Sequence, residues 1–147
     1  MMIFGNNMKG TEQMLSLPIP LTIAVMPFLP STKADAKAAH QKKGMRLSFI
    51  CQWSRLGGKR SWLGPNAITT DLSDEEIRKR VELAVADVPH AVGMNNHMGS
   101  KVTADERVMR IILSVCKKTR PVLFRQQNKF KKSVAGKVAK RAECSGD

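Results

Sequence analysis

Val92-Gly93-Met94-Asn95-Asn96-His97-Met98-Gly99-Ser100 is the stretch whose reading decides the fold. Residues 89–94 form a short apolar run that predicts a buried strand, and polar side chains gather around one histidine at its C-terminal end. A helix with its own start signal follows. Thr103-Ala104-Asp105-Glu106 fits a capping box, and Val108, Ile111, Ile112 and Val115 repeat at helical spacing. Upstream, Ser73-Asp74-Glu75-Glu76 is a second capping box whose acidic first turn suits the helix dipole. Ile77, Val81, Ala84, Val85 and Val88 then supply that helix with an apolar stripe. Further back, residues 21–28 read as another buried strand closed by Pro30. Ser31 or Thr32 can cap the Ala/Lys-rich helix that follows to about Lys43, with Gly44 as its stop. Strand, helix, strand, helix predicts an α/β fold. Such folds place their sites at the C-terminal ends of strands, which makes His97 the leading chemical candidate.

Composition bounds the function. A chain of 147 residues holds one domain with a core of modest size. No apolar run approaches the roughly 20 residues of a membrane span, and residues 15–30 are broken by Pro18, Pro20, Pro27 and Pro30. The N-terminus lacks the pattern of a secretory signal, so the sequence as written predicts a cytoplasmic protein. Cys51, Cys116 and Cys144 are widely spaced and unpaired in pattern, which predicts reduced thiols. The net charge of +13 invites a nucleic-acid reading, but its distribution argues against one. Residues 42–60 hold six Lys/Arg and residues 117–132 hold seven, with no Asp or Glu in either. Those two patches account for the whole excess, and the rest of the chain is balanced like an ordinary soluble enzyme.

Four motifs carry a resemblance to a known family. They are Phe4-Gly5-Asn6-Asn7, Ile23-Ala24-Val25-Met26-Pro27, Trp62-Leu63-Gly64-Pro65, and the stretch from Val92 to Ser100 quoted above. With them, residues 15–41, 61–116 and 133–140 resemble the divergent polysaccharide deacetylases, carbohydrate esterases with a deformed β/α barrel. The resemblance implies a partial barrel, incomplete at its N-terminus, that spans residues 1–147 as a single domain; the tail over 133–147 reads from its own residues as weakly helical and frayed. It also implies a carbohydrate substrate and a divalent metal, zinc by expectation. That metal would be held by an Asp of an Asp-Asp-Phe-Gly motif, a His of a His-Met-Pro-Met strand end, and a second His. Two His and one carboxylate with an open position form a recognised catalytic arrangement, in which the metal activates water and polarises the acetyl carbonyl.

Of these parts only His97 carries over. Met1-Met2-Ile3 stands where the Asp pair is expected, and no His-x-Pro-Met lies between Gly44 and Trp62. The Leu-Asp-Ser-Arg strand expected after the last helix is absent too. The genetic code offers one explanation for all three. Residues 44–55, back-translated and read one base out of register, can spell Gly-His-Glu-Val-Ile-Val-His-Met-Pro-Met-Glu-Pro. Residues 120–131, shifted likewise, can spell Arg-Gly-Leu-Tyr-Phe-Leu-Asp-Ser-Arg-Thr-Asn-Ser, and codons for Met1-Met2-Ile3 contain Asp-Asp. These internal segments are the two acid-free patches, so a frameshifted chain is expected, with residues 45–50 forming at best a poor strand. One His cannot hold a catalytic zinc usefully, so the chain as written is expected to be inactive and metal-free.

Plainer readings stand beside each candidate. His97 could be a loop histidine bonded to its own turn, and the resemblance favours a metal-ligand ancestry over that. Asn95 and Asn96 could line a sugar site, though Asn also suits left-handed turn positions. Trp62 could stack on a sugar ring or pack a loop against the barrel. His40 and His90 read as exposed helix-end and loop residues. Asp71, Asp74, Glu75 and Glu76 read as helix-start charges, and Met94 and Met98 as core filler. The alternative function is a basic binder of nucleic acid or an anionic surface, using Lys129, Lys131 and Lys132 around Phe130. Against it stands a disordered basic stretch with only non-specific polyanion affinity.

Overall fold

The computed structural model describes residues 2–7, 9–57, 59, 61, 63–64, 66–119, 122–123 and 134. Five strands alternate with four helices: β1 (Met2–Phe4), α1 (Thr11–Leu15), β2 (Thr22–Val25), α2 (Thr32–Gln41), β3 (Arg46–Trp53), α3 (Asp74–Asp87), β4 (Gly93–Met98), α4 (Glu106–Thr119) and β5 (Val122–Leu123). The strands form one parallel sheet in the order β1-β2-β3-β4-β5. Spatial order follows chain order without a reversal, so right-handed crossovers put every helix on one face. A β/α barrel is wound this way, whereas a doubly wound sheet reverses. Among the described residues β1 and β5 do not pair with each other, and the sheet stays open.

The core lies between the sheet and its helices. Ile23 and Val25 of β2, Leu47, Phe49, Cys51 and Trp53 of β3, and Met94 of β4 meet the buried stripes of α3 and α4. Those stripes are the expected ones: Ile77, Val81 and Ala84 on α3, and Val108, Ile111, Ile112 and Val115 on α4. Ser73 caps α3, its hydroxyl accepting the Glu76 N–H at 3.2 Å. The second capping box is corrected. Residues 102–104 first make a 3₁₀ turn, so Asp105 rather than Thr103 accepts an N–H of α4, that of Val108 at 3.1 Å.

The expectation of a poor strand over residues 45–50 is also corrected. β3 is the longest strand and sits at the centre of the sheet, with Leu47, Ser48, Phe49, Ile50 and Cys51 all buried. A parallel strand covered on both faces needs small or apolar residues at every interior position. The segment supplies them from Leu47 to Cys51, with Gln52 a polar exception near the C-terminal end. Its charges, Arg46 and Arg55, fall at or beyond the strand's ends, and the buried Ser48 hydroxyl donates to the Ile23 carbonyl at 3.2 Å.

Candidate functional site

The parallel strands deliver their C-terminal ends to one edge of the sheet. At the end of β1, Gly5 N–H and the Ser31 hydroxyl both donate to Asp35 Oδ2, at 2.9 and 2.8 Å. Asn7 N–H donates back to Ser31 Oγ at 2.9 Å. Ser31 therefore does not cap α2, as the sequence allowed; its hydroxyl joins β1 to α2 instead. Thr32 is equally committed, accepting the Leu29 N–H at 2.9 Å and donating to the Met26 carbonyl at 2.6 Å.

β3 and β4 form the centre of the edge. Their register sets Gln52 directly opposite His97 and Ile50 opposite Asn95. Side chains two residues apart share a face, so Ile50, Gln52, Asn95 and His97 lie on one side of the sheet, opposite the helices. His97 is exposed. Gln52 accepts the Gly64 N–H through Oε1, which anchors the loop after β3. Asn95 and Asn96 are buried and hold local structure: Asn95 Oδ1 accepts the Asn96 N–H at 2.9 Å, and Asn96 Nδ2 donates to the Met98 carbonyl at 2.6 Å. The left-handed positions of this turn are Met98 (φ 64°) and Gly99 (φ 93°), not the asparagines. Trp62 lies outside the described residues, as do Cys144 and the Lys129–Phe130–Lys131–Lys132 cluster of the basic-binder alternative.

A cavity of about 40 Å³ opens at this edge, walled by Met26, Phe28, Ile50, Gln52, Gly64 and Asn66 among others. Sequence reasoning missed Phe28, Gln52 and Asn66; the Met26-Pro27 strand end was the only available signal for that wall. A second, open polar cleft of about 410 Å³ lies by the end of β1, lined by Asn7, Thr11, Glu12, Gln13 and Asp35.

The described residues at the strand ends do not fit a catalytic metal. His97 faces Gln52, an amide, and the twelve-residue shifted reading would put its metal-binding His at position 50, where Ile50 is 3% exposed. Among the described residues no three His, Cys, Asp or Glu side chains gather closely enough to hold an ion. Cys51 and Cys116 are buried free thiols. Burial, and for Cys51 the nearby Cys116, pushes both up to about 12, so neither is a thiolate nucleophile at neutral pH. His40 and His90 are exposed, as expected, and stack on each other with ring centroids 4.0 Å apart.

A parallel sheet wound without reversal, with its polar residues at the strand ends, defines a β/α-barrel-type scaffold. The sequence profile of the divergent polysaccharide deacetylase family matches residues 3–145, and the chain belongs to that family. It is 33% identical over 102 residues to the uncharacterized protein YibQ of Escherichia coli (strain K12), covering 69% of this chain and 31% of that one. An uncharacterized protein of Haemophilus influenzae is 26% identical over 136 residues, 92% of this chain and 47% of its own. The chain thus spans about a third to a half of the curated relatives it matches. The crystal structure of the uncharacterized protein ATU2773 from Agrobacterium tumefaciens C58 shares the fold with a TM-score of 0.84 at 16% identity, over 97% of this chain and 59% of that one. No helix among the described residues is long and apolar enough to cross a membrane.

Proposed function

We propose that this chain keeps the carbohydrate-facing scaffold of a metal-dependent polysaccharide deacetylase but has lost the ligand set that would make it an enzyme. The observation that carries the reading is the environment of His97. Its cross-strand partner is Gln52, and its neighbours on the same face are Ile50 and Asn95. None of these is a metal ligand of the kind a catalytic zinc requires. A lone imidazole cannot generate a bound hydroxide or polarise an acetyl carbonyl. The frameshift reading supports the same conclusion, because position 50 falls inside the acid-free patch. Carbohydrate binding at the strand ends survives in this proposal, and turnover does not.

The test is acetate release from a β-linked N-acetylglucosamine tetramer by the purified chain, with and without added zinc. The expected result is no release above the protein-free rate and no effect of His97→Ala. Release that is abolished both by a chelator and by His97→Ala would overturn the proposal. The nucleotides encoding residues 42–60 and 117–132 give a second check, since in-frame codons with no homopolymer run would remove the frameshift account.

A further inference from the structure

Phe28 sits in a backbone conformation that a bulky side chain rarely adopts. Its φ is 65°, in the left-handed region that favours glycine. The turn around it is held by bonds from one distant element and from the start of the adjacent helix. The Phe28 N–H donates to Asp87 Oδ2 at 2.7 Å, across 59 positions of sequence, from the last residue of α3. The flanking residues are fixed by Thr32, which bonds both the Leu29 N–H and the Met26 carbonyl. Pro27 and Pro30 stiffen the same turn. A residue strained against its own preference, and pinned this firmly, is a feature that clusters at ligand clamps.

The ring's surroundings say what it would clamp. Phe28 is half-buried, packing partly on the core while lining the cavity at the strand ends. At about 40 Å³ that cavity is far smaller than the roughly 300–1,000 Å³ of pockets that engulf a ligand, so a ligand rests on its rim. The lining brings the Phe28 ring and the Met26 side chain together with the side-chain amides of Gln52 and Asn66. An apolar platform beside amide groups matches a pyranose ring, which has one C–H face and an equatorial belt of hydroxyls and acetamido groups.

We propose that Phe28 is the stacking residue for a saccharide ring at the mouth of the sheet, and that Asp87 is its positioning residue. This deepens the carbohydrate reading above and rests on it. Phe28 touches the sugar; Asp87 acts only through the Phe28 backbone.

The experiment is calorimetric titration of the chain with the N-acetylglucosamine tetramer. Wild type is expected to bind it, and Phe28→Ala to bind about 10-fold more weakly or not at all. Phe28→Tyr is expected to stay within about threefold of wild type. Phe28→Gly relieves the left-handed backbone while removing the ring, so it should fold at least as well and still lose the ligand. Asp87→Ala should weaken binding, whereas Asp87→Asn, whose amide oxygen can still accept the Phe28 N–H, should restore it. Equal affinity in wild type and a folded Phe28→Gly would overturn the proposal and leave the carbohydrate reading standing. No saccharide binding by wild type would overturn both.

Discussion

Gly99 closes the turn that follows His97, and replacing it with alanine should be among the most damaging small changes available. Two costs combine. The backbone is at φ 93°, where an L side chain is strained by about 1–3 kcal/mol. The new Cβ would also lie 2.9 Å from Asn96 Nδ2, 3.0 Å from Trp53 Cε3 and 3.1 Å from Trp53 Cβ. Trp53 is 1% exposed and cannot retreat, and moving the Asn96 amide breaks its bond to the Met98 carbonyl. Overpacking and the lost hydrogen bond add about 2–3 kcal/mol. Gly57 provides the control, being left-handed too (φ 69°) with no atom of the described residues within 4 Å of a Cβ. Gly57→Ala should lose the backbone strain alone. In urea unfolding at an m-value of about 2 kcal/mol per M, Gly99→Ala should lower the midpoint by about 1.5–3 M, and Gly57→Ala by at most about half that. Equal midpoint losses in the two variants would refute the packing argument and the close approach of this turn to Trp53.

Three further outcomes follow from the structure. The Arg107 guanidinium gathers the Thr70 carbonyl at 2.9 Å, the Leu72 carbonyl at 3.3 Å and the Asp74 carboxylate, so Arg107→Ala should cost about 1–2 kcal/mol in denaturant unfolding. Arg110, paired among the described residues with Glu106 on the exposed face of α4, should cost about 0.5 kcal/mol or less when changed to Ala; a reversed order would show that the Arg107 latch does not hold the loop before α3. The two buried thiols ionise near 12 when folded and near 9 when unfolded, so between those values the folded state holds more protons and stability falls as pH rises. Each thiol contributes a slope of up to about 1.4 kcal/mol per pH unit there, and a Cys51→Ala/Cys116→Ala variant should show a flatter alkaline decline; an unchanged slope would mean the thiols are not desolvated. Gln52→His would set a second imidazole directly opposite His97, so zinc should raise the melting temperature of that variant but not of wild type. Absence of any zinc-dependent shift in the variant would refute the cross-strand register.

Local signals were legible in this chain. The α3 cap and stripe were readable because Ser73, Glu76 and the apolar repeat lie within one helix, where contacts follow sequence spacing. For β4 the apolar run over 89–94 gives the wrong bounds: the strand is Gly93–Met98 and carries Asn95, Asn96 and His97 within it, because their backbones pair with Ile50, Cys51 and Gln52 of β3. In β3 the flanking arginines and the lack of acids mask a run, Leu47 to Cys51, that is small or apolar at every position. β1 is three residues long, too short for periodicity to register. The second capping box misled because a 3₁₀ turn shifted the helix start by two residues, which no local pattern encodes.

The site divides along the same line. His97 and its place at a strand end could be named from the sequence, because residue chemistry and local pattern are sufficient for that. Its partner could not. Gln52 stands opposite His97 only because β3 and β4 pair in one register, which contacts between residues more than forty positions apart decide. Phe28, in the turn after β2, is held by Asp87 at the end of α3, a contact across 59 positions that no local pattern encodes. Sequence determined which elements form and which chemistry they carry; tertiary packing decided which groups meet, since register and cross-element hydrogen bonds are set by contacts far apart along the chain.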